Sequence, residues 1–262
     1  MSRAIVVTSG KGGVGKSTFC VCIGRALALR GSSVALVDTD VGLNNLDVIM
    51  AVENSVVYDL YDFQCASCRL SQALVPDPDY ENLKLLPSSK GYGKDVLPQT
   101  LTKAVASLKT KFDYVFIDCP AGVDAGFDRA VKCADEAIVV TTPHVSAIKD
   151  AKVVVELLRA RGTKRLSYVL NRVRPDLVIS SQMASVEDVT DVLGVPPLGV
   201  ILESDEVNGL SSVGSMEMSK ETAEALDVLC DNLAFGKNVV YDYTKKYRGF
   251  LGALRRAIKT RI

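Results

Sequence analysis

The decapeptide SGKGGVGKST at residues 9–18 constrains the fold of this chain more than any other segment. It follows a β-branched run, RAIVVT, and precedes a stretch with helical spacing. Gly10, Gly15, Lys16 and Ser17 fill the fixed positions of G-x-x-x-x-G-K-[ST], a loop whose backbone N–H groups enclose phosphate oxygens at a helix start. A glycine-rich turn without a ligand is the alternative, but strand, lysine, hydroxyl and helix together favour a phosphate loop.

Short apolar strands alternate with longer amphipathic helices along the chain, which is the pattern of repeated βα units. We predict strands at residues 3–8, 33–38, 83–87, 113–118, 136–142, 165–171 and 197–202. The clearest helices are predicted at 17–30, 98–110, 146–161, 185–193 and 219–233. The sequence therefore predicts an α/β fold: a single doubly wound, mostly parallel sheet of P-loop NTPase type flanked by helices, with a C-terminal amphipathic helix.

Length and charge favour one domain with a distinctive end. We predict an ATPase-type domain at 1–233, a linker at 234–246, where periodicity is lost, and a terminal helix at 247–262. Lys plus Arg equals Asp plus Glu at 31 each, so the whole chain has no net attraction to nucleic acid. The N-terminus lacks the apolar core of a secretory signal, and no apolar run approaches the roughly 18 residues of a spanning helix. We expect a cytoplasmic protein that meets a membrane only from its surface.

Carboxylates are predicted at strand ends beside the phosphate loop. Asp38 and Asp40 follow the second strand, and Asp118 ends the strand DYVFID. Because the carboxyl ends of parallel strands share one edge of the sheet, this is where an α/β fold places its chemistry. Asp118 would deliver a carboxylate to a magnesium shell in the Walker B manner, together with the hydroxyl of Ser17. Capping or turn roles are the alternative for Asp38 and Asp40.

Lys11 is a second lysine, ahead of Gly12 and Gly13, and the resulting string KGGVGKST resembles the deviant Walker-A ATPases of the MinD/ParA family. Further segments that resemble this family are DTDVGLNNLD, DCPAG, ADEAIVVTTP, QMASVEDV and LGVILESD, so the resemblance covers nearly the whole chain. Stretches outside the phosphate loop resemble its septum-placing branch.

The resemblance implies ATP/ADP and Mg²⁺ as ligands and ATP hydrolysis as the reaction. It implies that Lys11 reaches the partner's nucleotide in an ATP-bound homodimer, whereas a solvated loop lysine is the alternative. Asp40 would orient the attacking water, and Asp38 would support magnesium. Asn171 would read adenine, although strand-end asparagines also serve in turns. The implied nucleotide-binding residues are Lys11, Gly12, Gly13, Val14, Gly15, Lys16, Ser17, Thr18 and Asn171; the implied catalytic ones are Lys11, Lys16 and Asp40.

Three features depart from the family pattern or add to it. Leu202 stands where a proline beside the base is usual, which puts base packing in doubt. His144 stands where relatives carry an acidic residue, and because it is the only histidine, a metal site built from two or more histidines is excluded. Cys65 and Cys68 form C-x-x-C, half of a metal or redox site, among seven cysteines; we interpret them as ordinary thiols and expect no disulfide framework.

The terminal segment YRGFLGALRRAIKTRI combines apolar and basic residues at helical spacing. One face would be apolar and the other basic, which suits a helix lying on an anionic membrane. A terminal helix docked on the domain is the alternative. The predicted membrane contacts are Phe250, Leu251, Leu254, Ile258, Arg255 and Arg256.

The family resemblance implies a peripheral membrane protein that cycles with its nucleotide state. Its implied partners are a division inhibitor (MinC-like) and an activator of hydrolysis (MinE-like or equivalent), with no specific nucleic acid. Two alternatives stay open. One is a regulator of flagellar number from the same branch, and the other is a DNA-partition ATPase that grips the duplex through basic residues.

Overall fold

The computed structural model describes residues 2–40, 45–89, 95–204 and 219–247. Its strands are β1 (Arg3–Thr8), β2 (Val34–Asp38), β3 (Val75–Pro76), β4 (Leu83–Leu86), β5 (Tyr114–Asp118), β6 (Glu136–Thr141), β7 (Arg165–Val173) and β8 (Pro197–Leu202). Its α-helices are α1 (Lys16–Leu29), α2 (Leu46–Ile49), α3 (Leu60–Gln64), α4 (Pro98–Leu108), α5 (Ala125–Lys132), α6 (Val145–Ala160), α7 (Pro175–Ile179), α8 (Val186–Leu193) and α9 (Lys220–Phe235).

All strands of the described part of the chain join one sheet, in the order β3-β4-β2-β5-β1-β6-β7-β8. Only the short edge strand β3 is antiparallel, and it pairs with β4. Strand β1 lies between β5 and β6, so the chain leaves it toward one half of the sheet and later returns to build the other. Ligands of open α/β sheets bind at such a switch point, outside the carboxyl ends of the strands.

Helices cover both faces of the sheet. Successive residues of a strand point to opposite faces, so Ile5 and Val7 of β1 pack on one side while Ala4 and Val6 pack on the other. The first side is closed by α1, α2 and α9, and the second by α4, α5, α6 and α8. Central strands are therefore apolar at nearly every position, as parallel strands buried on two faces must be. The predicted doubly wound sheet is confirmed.

The seven predicted strands lie within two residues of the observed ones, and five predicted helices correspond to α1, α4, α6, α8 and α9. The structure adds β3 and the short helices α2, α3, α5 and α7, which sequence periodicity did not indicate. None of the helices in the described ranges combines the length and apolar character needed to cross a bilayer.

The segment 236–247, which we call the C-terminal strap, packs back on the domain. Asn232 of α9, which is 4% exposed, holds it through a donated bond to the Val239 carbonyl (2.6 Å) and an accepted bond from the Val239 amide (3.1 Å). The Tyr241 hydroxyl donates to Glu224 at 3.2 Å, and Tyr243 packs against the core. Helix α9 continues to Phe235, past the predicted boundary at 233/234, and the predicted linker contacts the body at Val239, Tyr241 and Tyr243.

Candidate functional site

Loops at the carboxyl edge of the sheet meet around a cleft of about 410 Å³. It opens where β1, β2 and β5 end side by side, and Asp38 and Asp118 are register partners on neighbouring strands. The lining residues include most of the predicted site: Ser9, Lys11, Gly12, Gly13, Val14, Gly15, Lys16, Ser17, Thr18, Asp40, Asn45, Ile49, Ala121 and Arg172. The volume is in the ordinary range for small-molecule sites.

The phosphate loop depends on glycine at positions where no other residue fits. Gly13 and Gly15 have φ of 76° and 91°, a left-handed backbone that side chains disfavour. A β-carbon on Gly10 would lie 2.4 Å from the backbone of Asp150 in α6, so the loop rests directly against that helix. Helix α1 begins at Lys16, and its first N–H groups point toward the cleft with the positive end of the helix dipole.

Lys16 and Asp118 form a buried ion pair at the floor of the cleft. The distance from Lys16 Nζ to Asp118 Oδ1 is 3.2 Å, and the side chains are 9% and 2% exposed. Burial lowers the pKa of Lys16, but the Asp118 carboxylate together with Cys20 and Cys119 raises it by more, so the net shift is upward. Burial likewise raises the pKa of Asp118, against the opposing effect of Lys16 and a hydrogen bond from Ser17. The predicted phosphate lysine and magnesium carboxylate are thus neighbours.

Asp38 and Asp40 lie beside this pair. The Oδ1 of Asp38 accepts a bond from the Asp40 amide (2.9 Å) and its Oδ2 accepts one from the Leu46 amide (3.3 Å). Burial and the Asp118 charge raise the pKa of Asp38 to about 7, although the two amides oppose the shift. Burial also raises the pKa of Asp40, which is only half-buried and lines the cleft. Asp38 therefore has both the turn role and the position that we expected of a magnesium-supporting residue.

The oxygen donors at the cleft fit Mg²⁺. Asp38, Asp118 and the Ser17 hydroxyl are hard ligands, and the burial that raises the pKa of both carboxyls would be offset by a divalent cation. Within the described ranges no group of three or more His, Cys, Asp or Glu side chains could hold a metal by itself. Magnesium is usually held by one or two carboxylates, waters and the ligand's phosphates, and Asp38 and Asp118 are two such carboxylates.

Lys11 lies at the rim, on the outer side of the loop. Its Nζ is 3.5 Å from the Ser146 hydroxyl at the start of α6, and its carbonyl accepts a bond from Ser9 (3.0 Å). The residue is exposed and makes no contact with the buried carboxylates among the bonds described. An exposed ammonium beside the cleft can reach a second molecule, whereas Lys16 cannot.

Near the end of β7, Arg172 lines the cleft and Asn171 lies buried behind the phosphate loop. The Asn171 amide nitrogen donates to the Val14 carbonyl at 2.7 Å, and the side chain is 4% exposed. Its predicted contact with adenine stays a prediction. Arg172 lines the cleft with φ of 58°, unusual for a residue other than glycine. Sequence reasoning missed Arg172 because no local motif marks a backbone of this kind.

Comparison with known proteins identifies the chain's relatives. The family model described as the CobQ/CobB/MinD/ParA nucleotide binding domain matches residues 5–216. The chain is 40% identical over 263 residues to the septum site-determining protein MinD of Synechocystis, covering 98% of this chain and 99% of that protein. The chain belongs to the MinD/ParA family. The MinD/ParA resemblance predicted from the phosphate loop is confirmed, and the chain is an ATPase with a Walker A loop.

Other relatives place the chain in the septum site-determining branch of the MinD/ParA family. Bacillus subtilis MinD is 43% identical over 217 residues, 82% of this chain and 81% of that protein. The MinD structure in the Aquifex aeolicus MinC:MinD complex superposes with a TM-score of 0.84 at 34% identity, covering 91% of this chain and 97% of that one. Pyrococcus horikoshii MinD, solved with Mg-ADP, has a TM-score of 0.81 at 30% identity over 90% of this chain and 97% of its own.

The predicted membrane residues lie outside the part of the chain that the structure describes. Phe250, Leu251, Leu254, Arg255, Arg256 and Ile258 all follow the last described residue, Tyr247. The Cys65 thiol is exposed and the Cys68 thiol is half-buried, and neither residue lines the cleft. His144 is exposed and begins α6 without a side-chain cap.

Proposed function

We propose that this protein is an ATP-dependent dimerising switch that cycles onto the membrane and helps to position the division septum by recruiting a division inhibitor. The observation that carries the proposal is the arrangement of two lysines around one cleft. Lys16 is buried against Asp118 at its floor, and Lys11 is exposed at its rim. One cation is placed to hold the phosphates of this chain's own nucleotide, and the other is free to act on a partner's.

ATP with Mg²⁺ occupies the cleft. The loop's N–H groups and the start of α1 hold the phosphates, and Lys16 exchanges its Asp118 partner for the β and γ phosphates. Asp118, Asp38 and Ser17 would hold magnesium, whose charge would favour phosphoryl transfer. Asp40, half-buried at the cleft and carrying a raised pKa, orients the water that attacks the γ-phosphate in line. The products are ADP and phosphate.

Dimerisation couples this reaction to assembly. Charge moves onto phosphate oxygens in the transition state, so a cation supplied by a second copy accelerates hydrolysis only after the copies meet. Lys11 suits this role because it is exposed and its Nζ has a single hydroxyl neighbour, Ser146, among the described bonds. Loss of the γ-phosphate would remove the ligand that both copies hold.

Membrane attachment and partner binding complete the cycle. Residues 247–262 pair apolar with basic side chains, and two copies in a dimer bind a vesicle more tightly than one. The Aquifex aeolicus complex is between MinC and MinD, which supports a MinC-like division inhibitor as this chain's partner. A MinE-like activator would stimulate hydrolysis.

Light scattering on a sizing column tests the dimer. With Mg²⁺ and a slowly hydrolysed ATP analogue the native chain should elute as a dimer, and with ADP as a monomer. Lys16→Ala should abolish nucleotide binding. Lys11→Ala should bind nucleotide yet remain a monomer with slow turnover. Lys132→Ala is the matched control, because Lys132 is an exposed lysine at the end of α5, away from the cleft. A Lys11→Ala chain that dimerises and hydrolyses ATP normally would refute the role given to Lys11.

Vesicle sedimentation tests the membrane step. The native chain should pellet with anionic vesicles in the ATP analogue but not in ADP, and a chain ending at Lys246 should stay in the supernatant in both. Equal pelleting of the two chains would rule out the terminal segment as the anchor. A mobility shift of DNA without lipid binding would favour a partition ATPase instead.

A further inference from the structure

A buried asparagine donates a hydrogen bond to the backbone of the phosphate loop. Asn171 ends the apolar part of β7 and lies 157 residues from Val14, whose carbonyl accepts its Nδ2 hydrogen bond at 2.7 Å. Only the amide nitrogen of this side chain can pair with a carbonyl, because Oδ1 has no hydrogen to donate. Both residues are almost fully buried, at 4% and 5% exposure, so the bond is shielded from competing water.

The same amide is packed tightly against the next residue of the loop. A β-carbon on Gly15 would come within 2.2 Å of Asn171 Nδ2. Glycine is therefore required at position 15 for two reasons: its φ is 91°, and the Asn171 amide leaves no room for a β-carbon. The Asn171 side chain fills the space beneath the Val14–Gly15 peptide.

Holding this peptide has a directional consequence. A trans peptide is planar, with its carbonyl and N–H pointing to opposite sides. When the Val14 carbonyl is turned toward Asn171, the N–H of Gly15 must face the other way, and Gly15 lines the cleft. Strand β7 is separated from β1 by β6, so the bond also ties the loop to the far half of the sheet.

We propose that Asn171 is a positioning residue for the phosphate loop. One of its N–H groups fixes the Val14 carbonyl and thereby presents the Gly15 N–H to a bound phosphate, and that N–H group is not available to the adenine ring. The inference rests on the proposed nucleotide binding of this cleft. It requires that loss of the Asn171 amide weakens the binding of phosphate ligands even when they carry no base.

Isothermal titration of Asn171→Ala and Asn171→Leu with three probes tests the proposal: Mg-ATP, Mg-GTP and Mg-tripolyphosphate, which has no base. Leu preserves the approximate shape without a donor. We expect the affinity for tripolyphosphate to fall about tenfold, or about 1.4 kcal/mol, and the affinities for Mg-ATP and Mg-GTP to fall at least as much. Faster amide exchange across residues 10–18 should accompany the loss.

Asn232→Ala is the matched control. Asn232 is an equally buried asparagine, 4% exposed, that lies away from the cleft. Its amide donates a hydrogen bond of 2.8 Å to the Leu198 carbonyl. Its loss should lower the melting temperature without changing any of the three affinities, which separates positioning from a general loss of stability.

The outcomes are distinct. If the Asn171 variants lose ATP affinity but keep tripolyphosphate affinity, Asn171 reads the base and the proposal is overturned. If they bind all probes as the native chain does, the bond to Val14 does not position the loop. If the native chain itself binds neither ATP nor tripolyphosphate, the proposed function fails, and this inference fails with it.

Discussion

Replacing Asp77 with Asn should lower the free energy of unfolding of this protein more than any conservative surface substitution. Asp77 pairs with Arg25 of α1, with 2.9 Å between Asp77 Oδ2 and Arg25 Nε, and both side chains are fully buried. The other oxygen, Oδ1, accepts bonds from the amides of Asp79 (2.9 Å) and Tyr80 (3.2 Å). Asn keeps an oxygen for those turn bonds, so the substitution removes the carboxylate charge beside Arg25 with little change of shape.

The magnitude follows from burial. Removing one member of a buried ion pair costs about 3–5 kcal/mol, because the remaining charge stays out of water. For a chain of this size about 1 kcal/mol lowers the melting temperature by roughly 2–4 °C, so Asp77→Asn should melt about 10 °C lower. Urea denaturation should give the same loss from a shifted midpoint at an unchanged slope.

Asp128→Asn supplies the comparison. Asp128 pairs with Arg161 at 2.6 Å, but the two side chains are 44% and 32% exposed, so the same chemical change should cost less than about 1 kcal/mol. Arg25→Leu combined with Asp77→Asn should cost less than the sum of the single changes, because the two charges disappear together. If Asp77→Asn shifts the midpoint no more than Asp128→Asn, water reaches the Arg25 pair and the reasoning from burial is refuted.

Three further outcomes are expected. Gly10→Ala should lower both stability and nucleotide affinity, since its β-carbon would lie 2.4 Å from the α6 backbone; calorimetry with and without Mg-ATP measures both. Hydrogen bonds from the Ser33 amide and hydroxyl lower the pKa of Asp113. The ionised carboxylate therefore stabilises the fold above the usual carboxyl pKa, and this contribution is lost as the pH falls through the lowered pKa. In Asp113→Asn, the urea midpoint should fall less steeply between about pH 5 and 2 than in the native chain. Iodoacetamide should label the exposed Cys65 in the native chain and spare Cys119, because burial raises its pKa to about 12, and mass spectrometry after digestion distinguishes them.

Strands and the phosphate loop could be predicted because their signals are local. A parallel strand buried on two faces is a continuous apolar run, and β1, β2 and β5 each read that way directly before a polar residue of the site. The loop carries its glycines, lysine and hydroxyl within ten residues. The short helices α2, α3 and α7, of four or five residues, are too brief to show a helical period.

Contacts between segments far apart in the chain could not be predicted from the sequence. The Lys16–Asp118 pair spans 102 residues and the bond from Asn171 to Val14 spans 157, so no spacing rule indicates either partner. The sequence predicts a linker at 234–246 because periodicity is lost there, but the bonds that hold Val239 and Tyr241 come from Asn232 and Glu224 on α9.

Because the strap is bound to α9 and the core, Tyr247 has a fixed position on the domain. Tyr247 lies beside Glu203 and Ser204 at the end of β8, at the carboxyl edge of the sheet, which also carries the nucleotide cleft. The residues that follow Tyr247 are therefore joined to a position that the domain fixes. If those residues bind a membrane as proposed above, the bilayer would lie near the catalytic edge of the sheet.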